Sequence, residues 1–310
     1  MEIDLELYRR DARVRIRPEV HLSVIDIAPE QPERTIVFLH GFGGKATQWI
    51  YLLRELCSEN RVIAIDLRGH GQSDQPRTGY SMQDIKADVE GVLDVLGINQ
   101  KIVLVGHSFG GAVATEFAVA HPERVERLVL IATCGEFRLN RLYRLLLRLP
   151  FTTLQLASRF TRNWLGAPPP TLKSWYQENL ARWKGWDLFP RLSVPTMTIR
   201  GHQDRVFEKP LFEEVARLIP GVEDVDVGAS GHMVMLERRE ATIRAIRRFL
   251  EPSPRTWRDT QGSSFEAKRS ALLKARPWLP HYADGVPYTI AVPRVPLHPW
   301  FARLLRQANL

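Results

Sequence analysis

The stretch KIVLVGHSFGGAVATEF, residues 101–117, passes from an unbroken apolar run into small residues, with one hydroxyl, Ser108, at the join. A run as apolar as KIVLV predicts a strand buried on both faces, and GGAVATEF predicts a helix able to pack closely on its neighbours. Gly106-His107-Ser108-Phe109-Gly110 then reads as G-x-S-x-G at a strand-to-helix turn, the setting in which that pattern presents a nucleophile at the edge of a sheet. In so tight a turn, side chains two residues either side of Ser108 would collide, so glycine is expected at both positions.

The same alternation extends in both directions. RTIVFLH (34–40), RVIAIDL (61–67), RLVLIAT (127–133) and VPTMTIRG (194–201) read as further buried strands. Helical segments are expected near 46–58, 82–97, 109–121 and 208–219. Strands of Val, Ile and Leu separated by helices predict an α/β fold, a mostly parallel sheet with helices on both faces. The stretches around 3–8 and 20–27 predict antiparallel strands added at one edge. The alternation breaks over about 135–190, an arginine- and tryptophan-rich segment that reads as a helical lid inserted into one domain spanning 1–251. Residues 252–275 are rich in proline and serine and read as a linker, followed by a tail, 276–310.

A serine hydroxyl attacks carbonyl carbon only when a base takes its proton, and the base needs an acid to orient it. On this kind of sheet the expected chain order is serine, acid, histidine. HQDRVF, directly after VPTMTIRG, places Asp204 at the same edge; GHMVMLE, after GVEDVDVGAS, places His232 just before a final helix. His202 is a weaker base candidate because it precedes the acid, and Glu136, after RLVLIAT, is a reserve acid. HGFGG (40–44) follows the first central strand, and its glycines allow backbone N–H groups to turn into the cleft. The Phe42 and Phe109 amides are therefore the expected oxyanion donors. His40 and His107, which border these two loops, and Trp164 and Trp175 of the insertion are expected to line the substrate pocket.

Composition bounds the alternatives. The chain has 310 residues, 44% hydrophobic and 25% charged, enough for a substantial core. Cys57 and Cys134 stand far apart without metal-ligand spacing, so reduced thiols and neither metal nor cofactor are expected. The opening MEIDLELYRRDARVRIR lacks an apolar signal core, which predicts a cytoplasmic protein. The net charge of +8 is concentrated: residues 134–190 and 252–310 each carry nine Lys/Arg against three Asp/Glu. No helix-turn-helix, zinc or RNP pattern accompanies that basicity, which argues against nucleic acid as a partner.

Gly41-Phe42-Gly43-Gly44-Lys45-Ala46, with Asp66 closing the next strand, also reproduces a dinucleotide fingerprint. An NAD-dependent reductase built on it would leave Ser108, Asp204 and His232 unexplained. A hydrolase-fold protein that binds ligand without turnover is a further alternative.

Together HGFGG, DLRGHGQSD (66–74), GHSFGG, GHQDRVF and GHMVMLE resemble the α/β-hydrolase superfamily over roughly residues 3–251. Members with Asp in the elbow, such as epoxide hydrolases, haloalkane dehalogenases and β-lactone decarboxylases, form an ester through that carboxylate. Ser108 departs from them, and the resemblance implies an esterase, lipase, thioesterase or carbon–carbon bond hydrolase. Asp66, Arg68 and Asp74 read as structural pins of their loop.

In RLNRLYRLLLRL (138–149), Arg138, Arg141, Arg144 and Arg148 share about a third of the helical circumference, with most leucines on the remainder. The simpler expectation is a lid whose apolar face covers the cleft while the arginines meet water. The sharper one is a basic surface for an anionic membrane or an acidic acyl carrier. Either implies a greasy cleft and an acyl substrate. The tail RPWLPHYADGVPYTIAVPRVPLHPWFARLLRQANL (276–310) resembles the N-terminal leader of long-chain acyl-CoA synthetases, which implies an acyl-CoA ligase module as a neighbour.

Overall fold

In the computed structural model, residues 11–17, 20–137, 141–161, 166–207 and 209–251 are described. The expected strand at 3–8, the linker 252–275, the tail 276–310, Arg138 and Trp164 lie outside them.

The chain opens with strands β1 (Asp11–Arg17), β2 (Val20–Ile27) and β3 (Thr35–Leu39), followed by a short 3-10 turn over Ala46–Trp49 and helix α1 (Ile50–Leu56). Next come β4 (Arg61–Ile65), α2 (Met82–Val95), β5 (Ile102–His107), α3 (Phe109–Ala120) and β6 (Val125–Ile131). Three helices of the insertion then precede the sheet's return: α4 (Arg141–Arg148), α5 (Phe151–Thr161) and α6 (Pro169–Trp175). The chain continues with β7 (Thr196–Arg200), α7 (Lys209–Leu218), β8 (Glu223–Asp226), α8 (Val234–Glu237) and α9 (Arg239–Leu250).

The eight strands lie in the order β1-β2-β4-β3-β5-β6-β7-β8. Only the β1–β2 and β2–β4 pairs are antiparallel; every pair from β4 to β8 is parallel. All five residues of β3 and all six of β5 are buried, as expected of central strands covered on both faces. Each fully buried Val, Leu or Ile there contributes about 1.5–3 kcal/mol to folding. α2 and α3 pack together, and α1, α8 and α9 form a second group. Ser81 and Asp84 cap α2 reciprocally, which fixes where that helix begins.

The edge strand paired with β2 is DARVRIR at 11–17, a segment the sequence reading passed over. Its alternation is of period two: Val14 is buried opposite Leu22, and Ile16 lies where a Cβ on Gly91 of α2 would come within 3.2 Å.

Beyond the carboxyl ends of β3, β4 and β5, three buried imidazoles brace the loops. His40 Nδ1 donates to the Gly41 carbonyl (2.8 Å) and its Nε2 accepts from the Leu67 amide (3.0 Å). His70 Nδ1 donates to the Arg68 carbonyl (3.2 Å) while Nε2 accepts from the Gly43 amide (3.2 Å). His107 Nε2 donates to the His232 carbonyl (3.0 Å), leaving Nδ1 to accept from the Gln48 side-chain amide (3.3 Å). Each ring uses one nitrogen as donor and the other as acceptor, so each must be neutral. Burial holds all three below the ordinary imidazole range, His70 and His107 well below it, and a neighbouring imidazole adds to the effect at these two.

Neutral braces make stability depend on pH in one direction. Above about pH 7.5 the imidazoles are neutral in both folded and unfolded chains, and stability is at its full value. Below that, the unfolded chain binds protons that the folded chain refuses, costing up to about 1.4 kcal/mol per pH unit for each ring. Urea unfolding should therefore show stability falling between about pH 7.5 and 5.5, and His70→Gln should reduce that loss by about 1 kcal/mol. An unfolding midpoint flat across this range would contradict the assignment of neutral braces.

Candidate active site

The turn between β5 and α3 is tight. Ser108 adopts φ 52° and ψ −119°, a conformation that costs a non-glycine residue about 1–3 kcal/mol. It is held there from both sides: its amide donates to the Ile131 carbonyl (2.8 Å), and its carbonyl accepts from Thr133 Oγ1 (3.3 Å). The flanking glycines are required, though not for one shared reason. A Cβ on Gly106 would lie 2.5 Å from both the Gly110 oxygen and the Gly111 Cα, the collision expected from the tight turn. At Gly110 the obstacle is the backbone of β3 and its loop: a Cβ would meet the Leu39 and His40 carbonyl oxygens. The Ser108 side chain forms no hydrogen bond among the described residues. Its residue keeps 6% exposure on the cleft.

Asp204, in the loop after β7, has a side chain only 2% exposed. One carboxylate oxygen accepts the amides of Val206 (2.7 Å) and Phe207 (3.1 Å). The other accepts from His232 Nδ1 at 2.8 Å. The carboxylate is thus fully committed to orienting one imidazole, and that bond leaves His232 Nε2 with its lone pair available. The imidazole is 18% exposed, more open than its partner. The main chain at His232 is tied in turn to His107, the residue before Ser108, and the two rings lie 4.9 Å apart. No hydrogen bond joins Ser108 Oγ to His232 Nε2 in this resting geometry. In ligand-free sites such bonds are commonly long and tighten on substrate.

The Phe42 and Phe109 amides donate to no group among the described residues. Phe109 is the first residue of α3, where an N–H has no intrahelical acceptor, and the helix terminus favours negative charge. The Phe42 loop is fixed by the Gly44 amide on the Gly41 carbonyl (2.9 Å) and by His70 on the Gly43 amide. The insertion joins this frame through Gly166, which donates to the Gly43 carbonyl (2.9 Å) and accepts from the Gly71 amide (2.6 Å).

The expected pocket residues fare differently from the triad candidates. His40 is wholly buried with both ring nitrogens engaged, and His107 is 3% exposed and similarly engaged, so they brace the walls instead of facing a ligand. Trp175 is 1% exposed; its Nε1 donates to the Arg68 carbonyl (3.1 Å), and its ring packs edge-on against His70 and Phe109. It supports the loops from beneath the insertion. The sequence reading missed Phe207 and Phe137, whose rings pack on each other. Phe207 also lies 5.4 Å from the His232 ring, and Phe137 lies 5.4 Å from Phe109. Phe207 could have been found from its place three residues after Asp204.

His202 points elsewhere, pairing with Asp226 at 2.6 Å, and the bond to His232 Nδ1 comes from Asp204 and not from Glu136. The dinucleotide alternative fails at its carboxylate. Asp66 is 5% exposed, with its oxygens on the amides of Ala46 (2.6 Å) and Gln72 (2.9 Å), so it is turned into its own loops and away from where a ribose would lie. Asp66 is a loop pin, as are Arg68, paired with buried Asp88, and Asp74, which accepts from the His21 amide (2.9 Å). Among the described residues no cluster of His, Cys, Asp and Glu is arranged to hold a metal, and no helix is long and apolar enough to cross a membrane.

Residues 36–245 match the model of the alpha/beta hydrolase family. A cis-3-alkyl-4-alkyloxetan-2-one decarboxylase of Xanthomonas campestris is 26% identical over 293 aligned residues, covering 78% of this chain and 96% of its own. Among solved structures, a thermophilic esterase from Thermogutta terrifontis is 28% identical with a TM-score of 0.64, covering 77% of this chain and 96% of the esterase. Est816, an N-acyl homoserine lactone degrading enzyme, is 25% identical with a TM-score of 0.66, covering 77% of this chain and 100% of its own. The family match spans the sheet from β3 to α9 and takes in the Ser108 turn, Asp204 and His232, so the chain belongs to the alpha/beta hydrolase family.

Proposed function

We propose that this chain is a cytoplasmic serine hydrolase that cleaves medium-to-long-chain acyl esters or thioesters through an acyl-enzyme. The observation that carries the reading is the Asp204–His232 hydrogen bond of 2.8 Å, made by a carboxylate already saturated on its other oxygen. It fixes the imidazole tautomer in which Nε2 is the free base. On this reading His232 Nε2 takes the Ser108 proton as Oγ bonds to the substrate carbonyl carbon, and Asp204 stabilises the imidazolium that forms. The Phe42 and Phe109 amides donate to the developing oxyanion. The imidazolium returns its proton to the departing alcohol or thiol. Water then repeats the sequence against the acyl-enzyme and frees the acid.

Two further features support the reading. Serine at 108, where the resemblance gives Asp for epoxide hydrolases and β-lactone decarboxylases, favours attack by an alkoxide over attack by a carboxylate. The related oxetanone decarboxylase is therefore a guide to fold and less to chemistry. The packed rings of Phe109, Phe137 and Phe207 make the surroundings of the Ser108 turn and His232 apolar, which favours an acyl chain over a sugar or a charged peptide. The released acid would suit an acyl-CoA ligase, whose leader the tail resembles. That tail lies outside the described residues and beyond the matched segment, 36–245.

Ser108→Ala should lower kcat on p-nitrophenyl esters by about 10⁴–10⁶, and Asp204→Asn by about 10⁴, with KM changed far less. Retention of most of the activity in Ser108→Ala would overturn the mechanism. Across p-nitrophenyl esters and acyl-CoAs of graded length, kcat/KM should rise with each added methylene by up to about fourfold until the pocket is filled. A maximum at acetyl would contradict the acyl-chain assignment.

A further inference from the structure

Among its described residues the insertion buries Leu154, Leu172 and Leu180 but leaves another set of apolar side chains in water. Of the eight large apolar side chains exposed among the described residues, five fall within twelve consecutive positions: Leu145, Leu146, Leu149, Phe151 and Leu156. Leu145 and Leu156 are 61% and 58% exposed, and Phe151 is 51% exposed. Leu154 is buried on the inner side of α5, and Leu147 of α4 is half-buried. Soluble proteins seldom concentrate exposed apolar groups in this way without a partner.

The same stretch of sequence carries a strong positive charge. Residues 137–177 contain six arginines and one lysine and no Asp or Glu, the nearest acids in the chain being Glu136 and Glu178. Arg144 and Arg148 are exposed beside the leucines. Cations flanking exposed Leu and Phe match one kind of surface, anionic headgroups overlying hydrocarbon. A soluble acidic protein would answer the arginines but leave five large apolar groups in water.

α4 and α5 are both anchored on α6. Lys173 of α6 donates to the Leu149 carbonyl at the end of α4 (2.7 Å), with its ammonium 4.8 Å from the Phe151 ring centre. α4 and α5 both pack on α6, and Leu172 of α6 lies against Gly43 in the loop that carries the Phe42 amide. α4 and α5 are thus linked through α6 to the loop that carries the Phe42 amide.

We infer that the α4–α5 segment docks on anionic phospholipid membranes, with Leu145, Leu149, Phe151 and Leu156 entering the interface and Arg144 and Arg148 meeting the headgroups. This deepens the hydrolase reading by placing its substrate source at a lipid surface, and it is measured without turnover. The test is co-sedimentation of the full chain with vesicles of phosphatidylcholine alone or with added phosphatidylglycerol, at low and high salt. Hydrolysis of a short soluble ester is followed in parallel.

Binding should require phosphatidylglycerol and weaken with salt. It should fall at least about tenfold in Arg144→Glu/Arg148→Glu and in Leu145→Ser/Phe151→Ser/Leu156→Ser, with soluble-ester activity and thermal unfolding unchanged. If the serine variant fails to fold, the arginine variant alone decides. Absence of vesicle binding by the unaltered chain overturns the inference, as does equal binding to phosphatidylcholine alone. Binding that survives both variants, or capture by an acidic carrier protein in place of vesicles, likewise overturns it. Loss of ester hydrolysis on Ser108→Ala with vesicle binding intact separates the two readings, since failure of either leaves the other measurable.

Discussion

The structure turns on one strained residue. Ser108 occupies a backbone conformation unfavourable to any side chain, and the strand before it and the helix after it leave it no other. β5 is buried along its whole length, and α3 is buried on nearly every side, so neither can shift to relieve the turn. The cost of about 1–3 kcal/mol is small beside the burial of those two elements. What it secures is a hydroxyl with no partner among the described residues, left facing the cleft in a protein whose buried polar groups are otherwise mostly paired.

Around that turn, neutral histidines position the loops. His40, His70 and His107 each join two loops by donating with one nitrogen and accepting with the other. His70 holds the loop bearing the Phe42 amide, and His107 holds the main chain of His232. The candidate base and the candidate oxyanion donor are thus fixed by groups that cannot gain a proton without losing an acceptor. Gly166 adds a further connection, tying the insertion to the Gly43 loop and to the Gly71 loop that carries His70.

Much of this was legible in the sequence, because the relevant signals are local. Uniform Val/Ile/Leu runs mark central strands, and the G-x-S-x-G pattern needs only its flanking strand and helix to be interpreted. Asp204 and His232 follow from their positions beyond strand ends. Side-chain exposure was less legible. His40 and His107 look like pocket residues because they sit beside glycine loops, yet the loops fold over them and consume both nitrogens. The leucines of 138–149 look like an inward face, but Leu145, Leu146 and Leu149 remain in water. Gly110 was expected to avoid Gly106, whereas it makes room for the end of β3, a contact between segments some seventy residues apart.

The central claim is that the alcohol at 108 is made nucleophilic by its surroundings. Reaction with a fluorophosphonate, followed by intact-mass and peptide mass spectrometry, tests it most directly. It predicts one adduct per chain, on the peptide bearing Ser108, formed in the folded protein and lost when His232 is replaced by alanine. A folded chain that takes up no reagent, or takes it up at another residue at the same rate with and without His232, would contradict it.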